Sequence, residues 1–313
     1  MNSTLLKKIK KRTKSLSEEQ GFDLCGISKA VFLNEEAPRL EEWLNQGRHG
    51  EMKYMENWFD LRLDPRKLVD GAKSVITFLQ NYFPSETQRS GSYLISKYAY
   101  GEDYHFVLKR KLKSIALALQ EDFGDFNWRS FVDSGPVMDR VWARKSGLGW
   151  VGKNSLLLNK ERGSFFFIGH LITDLEMEYD SEVRDHCGTC TKCIDACPTS
   201  AITEPYKVDG SKCISYLTIE LKDSVPEKFK KTYKDWIFGC DICQDVCPWT
   251  SKSSPTKEES FNGRKLWMDF DQKDWENLTE ANFEQQFKNS ALKRTGYKGL
   301  KRNIQFLNEK NQE

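Results

Sequence analysis

The sequence predicts an α+β protein with an N-terminal α/β layered domain, a cysteine-rich second domain and a short helical C-terminus. Strand and helix patterns alternate over residues 1–178, which favours layers of helices packed on a sheet. Eight of the nine cysteines are crowded between Cys187 and Cys247. Residues 256–313 have the pattern of helices and loops, with a basic run near the end. We therefore expect domains at 1–178, 179–255 and 256–313.

The elements of the N-terminal domain follow from apolar spacing and from the residues that end helices and strands. Helices are expected at residues 4–20, 38–55, 102–123 and 136–146. Strands are expected at residues 23–28, 74–82, 129–132, 155–158 and 164–173. Gly21 ends the first helix, and Gly47 and Gly50 interrupt the second. This order of elements predicts a sheet with helices laid on it.

Length and charge limit the class of protein. The chain has 313 residues, enough for about two domains of ordinary size. Its formal net charge of +2 indicates no particular partner. It contains no apolar run of about 18 residues, and its N-terminus lacks the apolar segment of a signal peptide. We therefore expect a cytoplasmic protein without a membrane span.

The cysteine spacing is the most specific motif of the sequence. Cys187, Cys190, Cys193 and Cys197 follow the C-x2-C-x2-C-x3-C-P pattern of bacterial ferredoxins. A second group repeats the last three positions of that pattern and gains a fourth cysteine upstream; its members are Cys213, Cys240, Cys243 and Cys247. In a reducing compartment such crowding indicates metal rather than disulfides. The pattern predicts a ferredoxin-like domain that holds two [4Fe-4S] clusters.

The two predicted clusters exchange one ligand each. Three thiolates on one tight loop hold three irons of a cubane, whereas the cysteine that precedes the proline reaches the other cluster. The ligands of the first cluster are therefore predicted to be Cys187, Cys190, Cys193 and Cys247. The ligands of the second are predicted to be Cys197, Cys213, Cys240 and Cys243. The alternative is a pair of four-cysteine zinc sites, which usually show two separated CxxC pairs rather than a triple followed by Cys-Pro.

The electrons from two clusters need an acceptor. Two such clusters fit in one small domain, yet residues 1–178 precede them. The N-terminal domain is therefore expected to hold the acceptor. It shows neither the GxGxxG pattern of a dinucleotide site nor the GxxxxGK[ST] pattern of a P-loop. The residues alone thus predict a two-cluster reductase and leave its acceptor open.

Short motifs spread from about residue 20 to 303 resemble one family over most of the chain. They are LDPR at 63–66, KYA at 97–99, GEDYH at 101–105, VDSGPVMDR at 132–140, GLGWVGKN at 147–154, CISYLTIE at 213–220 and GCDICQ at 239–244. In their order and content they resemble the epoxyqueuosine reductase family. The resemblance implies cobalamin in the N-terminal domain, two cubane clusters and a tRNA substrate. The implied reaction removes the epoxide oxygen of epoxyqueuosine at the wobble position, the last step of queuosine synthesis.

The resemblance also implies roles for individual residues. Asp133 is expected to donate a proton, and burial beside the corrin ring is expected to keep it protonated. The expected cobalamin contacts are Lys97, Tyr98, His105, Asp133, Arg140, Lys153, Asn154, Gly163, Ser164, Ser215 and Asp241. The expected tRNA contacts are Tyr216, Lys293, Arg294, Lys298, Lys301 and Arg302. The expected partners also include an external low-potential electron donor, and the protein is expected to be a monomer.

Several of these residues have a structural alternative. Asp133 suits the N-cap of a helix over residues 136–146. Lys153 and Asn154 suit the turn of a plain hairpin. His105 suits a helix surface, and Tyr216 suits the core of the cluster domain. The basic run suits a solvated helix face. The sequence does not decide between these roles and the functional ones.

The sequence departs from the family at two points. Lys97 stands where members often carry arginine, and lysine cannot make the bidentate contact of a guanidinium. The chain ends at Glu313, where many members continue into a helical-repeat domain, so part of the tRNA-binding surface is expected to be missing. Two other functions stay open. One is a reductive dehalogenase-like cobalamin enzyme, which usually carries a twin-arginine signal, absent here. The other is a noncatalytic ferredoxin-type electron carrier.

Overall fold

The computed structural model describes residues 2–230, 232–262 and 265–309. The C-terminal segment predicted at 256–313 therefore includes positions 263, 264 and 310–313, which lie outside the described residues. In the described part of the chain, no helix has the length and apolar character that crossing a membrane requires.

The helices and strands follow one another in a mixed order. The helices are α1 (Ser3–Glu19), α2 (Glu36–Asn45), α3 (Phe59–Leu63), α4 (Tyr104–Phe123), α5 (Asp139–Lys145), α6 (Lys192–Asp195), α7 (Ile214–Ile219), α8 (Ile242–Asp245), α9 (Gln272–Glu276), α10 (Glu280–Gln286) and α11 (Gly296–Asn308). The strands are β1 (Leu24–Lys29), β2 (Ser74–Asn81), β3 (Leu94–Ile95), β4 (Trp128–Val132), β5 (Trp150–Val151), β6 (Leu157–Leu158), β7 (Phe166–Thr173), β8 (Ile202–Glu204), β9 (Lys207–Val208) and β10 (Trp236–Phe238).

A four-stranded sheet with the order β1-β2-β7-β4 organises the N-terminal half, and every neighbouring pair is antiparallel. All residues of β2 are buried, and they alternate between the two faces of the sheet. Ile76 and Phe78 pack in one core with residues of α1 and α4. Val75 packs on the other face with residues of α2 and α5. Helices on both faces of an antiparallel sheet confirm the predicted α+β class.

Two predicted helices differ from the observed ones. The helix expected at 38–55 ends at Asn45, because Gly47 and Gly50 adopt left-handed backbone conformations with φ of 64° and 58°. The helix expected at 136–146 begins at Asp139 and has Met138 as its N-cap, without a side-chain cap. Asp133 therefore lies in the loop before α5 and does not cap it.

Close packing fixes the position of α5 and of the loop before it. Gly26 in β1 faces the carbonyl oxygen of Ser146, and a Cβ atom at Gly26 would lie 2.1 Å from that oxygen. Only glycine allows this approach. The end of α5 is thus held against the sheet, and the loop that carries Asp133 leaves the sheet at the end of β4.

The second half of the chain shares one apolar core. It joins Ile95 and Tyr100 from the N-terminal half with residues of α7 and β10 and with helices α9 to α11. Strand β10 pairs in parallel with β3. The C-terminal helices therefore pack directly on the cysteine-rich region. The domain limits at 178 and 255 stay a prediction.

Candidate functional site

The first predicted cysteine set surrounds an open cavity of about 170 Å³. Cys187, Cys190, Cys193 and Cys247 all line this cavity, although Cys247 belongs to the second motif. Burial is the main cause that raises the pKa of Cys247, and the charges of Cys187 and Cys190 raise it further. The indole Nε1 of Trp150 donates to Cys187 Sγ at 3.4 Å. Three cysteines of the first motif and one of the second therefore line the same cavity.

The second predicted cysteine set lies deeper in the molecule. Burial raises the pKa of Cys243 well above its ordinary value, and the charges of its neighbours raise it further. Those neighbours are Cys213, Cys240 and Cys197. The backbone N–H of Ala201 donates to Cys197 Sγ at 3.3 Å. Cys197, from the first motif, therefore faces the cysteines of the second motif.

The donor chemistry of the two sets fits two cubane clusters. Each set offers four thiols, and thiolates are the ligands of such clusters. The short helices α6 and α8, which lie inside the two motifs, contact each other and bring the sets side by side. The crossed assignment of ligands stays a prediction, and this geometry supports it.

The turn of the β5–β6 hairpin joins the two cysteine loops. Lys153 is buried, and its ammonium donates to the carbonyl oxygens of Gly188 at 2.6 Å and Cys190 at 3.0 Å. Asn154 is also buried, and its amide donates to the carbonyl oxygen of Cys243 at 3.3 Å. The hairpin alternative is therefore correct for the backbone, but the two side chains serve the cysteine loops. Their predicted contact with cobalamin stays a prediction.

Lys97 and Asp241 form a buried ionic contact beside the second cysteine set. The Lys97 backbone N–H donates to Asp241 Oδ2 at 2.8 Å, and its ammonium donates to Asp245 Oδ1 at 2.7 Å. Ser96 also donates to Asp241. The charge of Asp241 is thus partnered although its side chain is 1% exposed. Lys97 ties the segment 97–99 to α8.

Three further predicted cobalamin contacts have structural partners. The Gln244 amide donates to the Ser164 carbonyl oxygen at 3.0 Å. Gly163 has a φ of 79°, and a Cβ atom there would lie 2.2 Å from Ser253 Oγ. The Ser215 carbonyl accepts a hydrogen bond from Thr218 Oγ1 at 3.2 Å. These contacts explain the local packing, and the cobalamin roles of Gly163, Ser164 and Ser215 stay predictions.

Asp133, which lies in the loop between β4 and α5, contacts two cationic side chains. Arg294 Nη1 donates to Asp133 Oδ2 at 3.0 Å, and His105 Nε2 lies 3.5 Å from the same oxygen. His105 Nδ1 lies 2.7 Å from Asp103 Oδ1, and the His105 ring stacks on Tyr104. The histidine is therefore held between two carboxylates, with one ring nitrogen toward each.

The neighbours of Asp133 in the protein act against the protonation expected for it, and protonation beside a corrin ring stays a prediction. Burial acts to raise the pKa of Asp133, but hydrogen bonds from His105 and the charge and hydrogen bond of Arg294 outweigh it and lower the pKa. Burial acts to lower the pKa of His105, but Asp103 and Asp133 outweigh it and raise the pKa to about 9. At neutral pH the proton therefore sits on His105, while Asp133 is ionised.

The surface around Asp133, termed the cleft, is partly open to solvent and rich in charged and titratable side chains. The Asp133 side chain is 44% exposed, yet desolvation by surrounding protein is the largest influence on its pKa. A carboxyl group is both exposed and desolvated in this way when protein surrounds it on several sides and one side is open to solvent. The charged or titratable side chains that interact electrostatically with Asp133 are Tyr54, Tyr98, Tyr104, His105, Asp139, Arg140 and Arg294.

The chemistry of the cleft fits the predicted cobalamin. Arg140 is exposed, and its charge interacts with that of Asp133. Its guanidinium donates to the Ser155 carbonyl oxygen. Lys97 contacts the second cysteine loop, and the next residue, Tyr98, belongs to the group around Asp133. The cleft therefore lies beside the buried cysteine set, with donors and acceptors that suit the amides around a corrin ring.

The structure corrects two of the predicted tRNA contacts. Tyr216 is a core residue, 7% exposed, and its hydroxyl accepts a hydrogen bond from the Glu51 backbone N–H at 2.8 Å, so stacking on a base is wrong for this residue. Arg302 donates to the carbonyl oxygens of Leu217 and Asp223, both at 2.9 Å. Its guanidinium is used inside the fold, so the predicted phosphate contact is wrong for Arg302.

The other basic residues near the C-terminus differ in their contacts and in their exposure. Lys301 donates to the Glu276 carbonyl oxygen, and Lys293 pairs with Glu284. Arg294 contacts Asp133 and also pairs with Glu220, with Nε 3.3 Å from Oε1. Lys298 is exposed on α11. The tRNA roles of these four residues stay predictions.

Sequence reasoning missed the partners of Asp133. Asp103 and Tyr104 lie in the GEDYH motif, directly before His105, and could have been found there. The contact between Arg294 and Asp133 spans 161 residues of sequence, and no local pattern indicates it. Trp150 and Gln244 also went unassigned, although both lie in the quoted motifs.

Two family models match the chain and define its class. The model described as 4Fe-4S double cluster binding domain matches residues 186–250, the region of both cysteine sets. The fold and this match define an iron–sulfur oxidoreductase. The model described as Epoxyqueuosine reductase QueG, DUF1730, matches residues 62–134 and ends just after Asp133.

Individual relatives agree with the family models. The epoxyqueuosine reductase of Leadbetterella byssophila is 60% identical, and the match covers 96% of this chain and 98% of that protein. A structure of an epoxyqueuosine reductase with an epoxyqueuosine-modified tyrosine tRNA stem loop has a TM-score of 0.89 at 26% identity, covering 96% of this chain and 80% of that one. The Bacillus subtilis enzyme, with its catalytic aspartate loop swung out of the active site, also has a TM-score of 0.89 at 26% identity, covering 96% of this chain and 81% of that one. The chain belongs to the epoxyqueuosine reductase family.

Proposed function

We propose that this chain removes the epoxide oxygen of epoxyqueuosine at the wobble position of a tRNA anticodon and releases queuosine-containing tRNA, the last step of queuosine synthesis. The observation that carries the proposal is the position of Asp133. It stands in a charged cleft beside a buried cysteine set, in a chain that belongs to this family along nearly its whole length. An electron carrier or a dehalogenase would not require similarity to this family along nearly the whole chain.

The proposed cofactors are two [4Fe-4S] clusters and cobalamin. The first cluster is assigned to Cys187, Cys190, Cys193 and Cys247, and the second to Cys197, Cys213, Cys240 and Cys243. Cobalamin is assigned to the cleft, with Tyr98, His105 and Arg140 as contacts from the group around Asp133. When bound, it supplies a strongly reducing cobalt centre that the protein side chains cannot provide.

The reaction fixes what the protein side chains must do. Two C–O bonds of the epoxide break, a C=C bond forms between its two carbons, and the oxygen leaves as water, so two electrons and two protons are consumed. Clusters held by the two cysteine sets would supply these electrons one at a time from an external low-potential donor. A negative charge develops on the departing oxygen, and a group that donates a proton to it lowers the barrier.

His105 and Asp133 are the proposed source of the first proton. His105 holds a proton at neutral pH, because Asp103 and Asp133 raise its pKa. Asp133 Oδ2 lies 3.5 Å from His105 Nε2, and the Asp133 side chain is 44% exposed. The proton can pass from His105 to Asp133 and from there to the epoxide oxygen, and His105 then regains a proton from water.

We assign the cleft to a cobalamin-binding domain at 1–178, the clusters to residues 179–255 and part of the RNA-binding surface to residues 256–313. The protein is proposed to act in the cytoplasm as a monomer.

The function is tested by anaerobic reconstitution with iron, sulfide and cobalamin, followed by an assay on an anticodon stem loop that carries epoxyqueuosine. We expect about eight irons per chain, corrin absorbance bands, and a substrate that loses one oxygen atom by mass spectrometry. A protein with both clusters and bound corrin that leaves the modified RNA unchanged would contradict the proposal. A chain that binds no corrin at all would point to an electron carrier instead.

A further inference from the structure

Arg294 pairs with the residue that is proposed to act as the acid. Its Nη1 donates to Asp133 Oδ2 at 3.0 Å, and its Nε lies 3.3 Å from Glu220 Oε1. One cation is thus shared by two carboxylates from different parts of the chain. Arg294 lies at the end of the segment that precedes α11, 161 residues away from Asp133 in sequence.

This contact opposes the proposed role of Asp133. A cation within hydrogen-bond distance favours the ionised form of a carboxyl group, so Asp133 has no proton to donate while Arg294 holds it. The proton lies nearby on His105, which is 18% exposed and fixed by Asp103. Two cations face one carboxylate oxygen, and the loss of either would make it easier to protonate Asp133.

Arg294 is the cation that an RNA substrate can reach. Its side chain is 40% exposed, whereas the side chain of His105, the other cation beside Asp133, is 18% exposed. The guanidinium of arginine binds phosphate with two parallel hydrogen bonds, as it binds a carboxylate. A nucleotide that enters the cleft of Asp133 brings its flanking phosphates to the rim of that cleft.

Building on the proposed function, we propose that Arg294 exchanges Asp133 for a phosphate of the bound RNA, and that this exchange allows Asp133 to accept a proton from His105. The N–H bond of His105 breaks as an O–H bond forms on Asp133 Oδ2, and that proton then passes to the departing oxygen. Arg294 is therefore a positioning residue that couples RNA binding to proton donation. The other charged or titratable side chains that interact electrostatically with the same carboxylate are Tyr54, Tyr98, Tyr104, Asp139 and Arg140.

The experiment compares Arg294→Gln, Arg294→Lys and the wild type on two substrates. One is an anticodon stem loop with epoxyqueuosine, and the other is the free epoxyqueuosine nucleoside, which has no phosphate. Arg39→Gln is the matched control, because it removes an exposed arginine from a carboxylate contact of 2.9 Å on α2. Thermal unfolding checks that each variant is folded.

On the nucleoside, wild-type kcat should be low, and Arg294→Gln should raise it by about tenfold or more, since a paired cation displaces a carboxyl pKa by one to three units. The alkaline limb of the pH profile should move upward by about one unit or more. On the stem loop, Arg294→Gln should instead raise KM. Arg294→Lys should behave more like the wild type, and Arg39→Gln should match it on both substrates.

A binding measurement separates this inference from the proposed function. With unmodified stem loop, Arg294→Gln should reduce the slope of log affinity against log salt by about one, because one phosphate contact is lost. The inference is overturned if that slope is unchanged, or if Arg294→Gln lowers kcat equally on both substrates with the pH limb unmoved. If the wild type acts on neither substrate, the proposed function fails, and the salt slope still decides whether Arg294 binds RNA phosphate.

Discussion

Asp133 occupies a left-handed backbone conformation, with a φ of 54°. Aspartate tolerates this region better than most residues other than glycine, but it is still unfavourable. The conformation directs the carboxyl group toward His105 and Arg294 instead of toward the N-terminus of α5. Such strain is often found at functional sites. At the scale of one residue, backbone conformation and ion pairing together define the candidate acid.

Replacement of Asp133 by asparagine tests its role in proton transfer. Asparagine keeps the size and can accept a hydrogen bond from Arg294, but it has no acidic proton. We expect both clusters and cobalamin to bind normally, while turnover of the modified stem loop falls by roughly 10²–10⁴. Iron content, corrin absorbance and single-substrate kinetics measure these quantities.

Two results would change the interpretation of Asp133. If cobalamin binding falls as much as turnover, the residue is a structural or cofactor contact. If turnover stays near normal, another group or water supplies the proton. Asp125→Asn is a suitable control, because Asp125 is exposed in the loop between α4 and β4 and its loss changes the net charge equally.

The raised pKa of His105 predicts that the stability of the fold depends on pH. Its pKa rises from an ordinary 6.5 to about 9 in the folded protein, because Asp103 and Asp133 outweigh the effect of burial. Its contribution to stability is therefore fully present below pH 6.5 and is lost as the pH rises through about 9. The difference in free energy of unfolding between wild type and His105→Gln should shrink over this range in chemical denaturation experiments. A difference that is constant with pH would show that the imidazolium is not stabilised.

At the scale of elements, a two-strand hairpin organises the cysteine loops. The turn between β5 and β6 inserts Lys153 and Asn154 between the loops, and each side chain donates to carbonyl oxygens of a different motif. Buried donors of this kind fix loop geometry, because leaving them unpaired is costly. The hairpin therefore positions two metal-binding loops that are far apart in sequence.

Double substitutions test the crossed assignment of cluster ligands. Cys190→Ala with Cys247→Ala removes two ligands of the same proposed cluster and should leave about four irons. Cys190→Ala with Cys197→Ala removes one ligand from each cluster and should leave the protein nearly free of iron. Iron analysis and electron paramagnetic resonance of the reduced protein provide the measurement. The reverse pattern of iron content would show that each motif holds its own cluster.

At the scale of the whole molecule, the C-terminal helices are part of the core that supports the second cysteine set. Residues of α11 pack with α7 and β10, and Asn303 donates to the carbonyl oxygens of Thr218 and Ile237 at 2.8 Å. Arg302 of the same helix donates one further hydrogen bond, to the Leu217 carbonyl oxygen. A basic helix that looks like an RNA-binding surface thus also holds the fold together.

Two basic residues of α11 should therefore respond differently to alanine. Lys298→Ala should leave the thermal unfolding midpoint unchanged and reduce the salt slope of RNA binding by about one, as expected for one phosphate contact. Arg302→Ala should lower the midpoint, because buried carbonyl oxygens lose their donor. Binding to an anticodon stem loop at several salt concentrations and thermal unfolding test both. A lower salt slope for Arg302→Ala at an unchanged midpoint would restore that residue to the RNA surface.

The sequence by itself determined the features that depend on local spacing. Cysteine spacing specified the cluster motifs, because ligands on one short loop must lie close together whatever the rest of the fold does. Apolar periodicity placed α1, α4, β2 and β7 within a few residues of their observed limits, because burial of one face follows from local pattern. The family resemblance added Asp133 and His105 as candidate site residues, although it did not indicate their contacts with Arg294 and Asp103.

Only the tertiary structure decided the charge state of the site and the use of its basic residues. Asp133 was expected to be protonated, but Arg294 and His105 keep it ionised, and Arg294 comes from a distant part of the chain. Tyr216 was expected at an RNA surface, but it lies in the core. A pKa and a degree of burial depend on neighbours in space, and a sequence lists neighbours only along the chain.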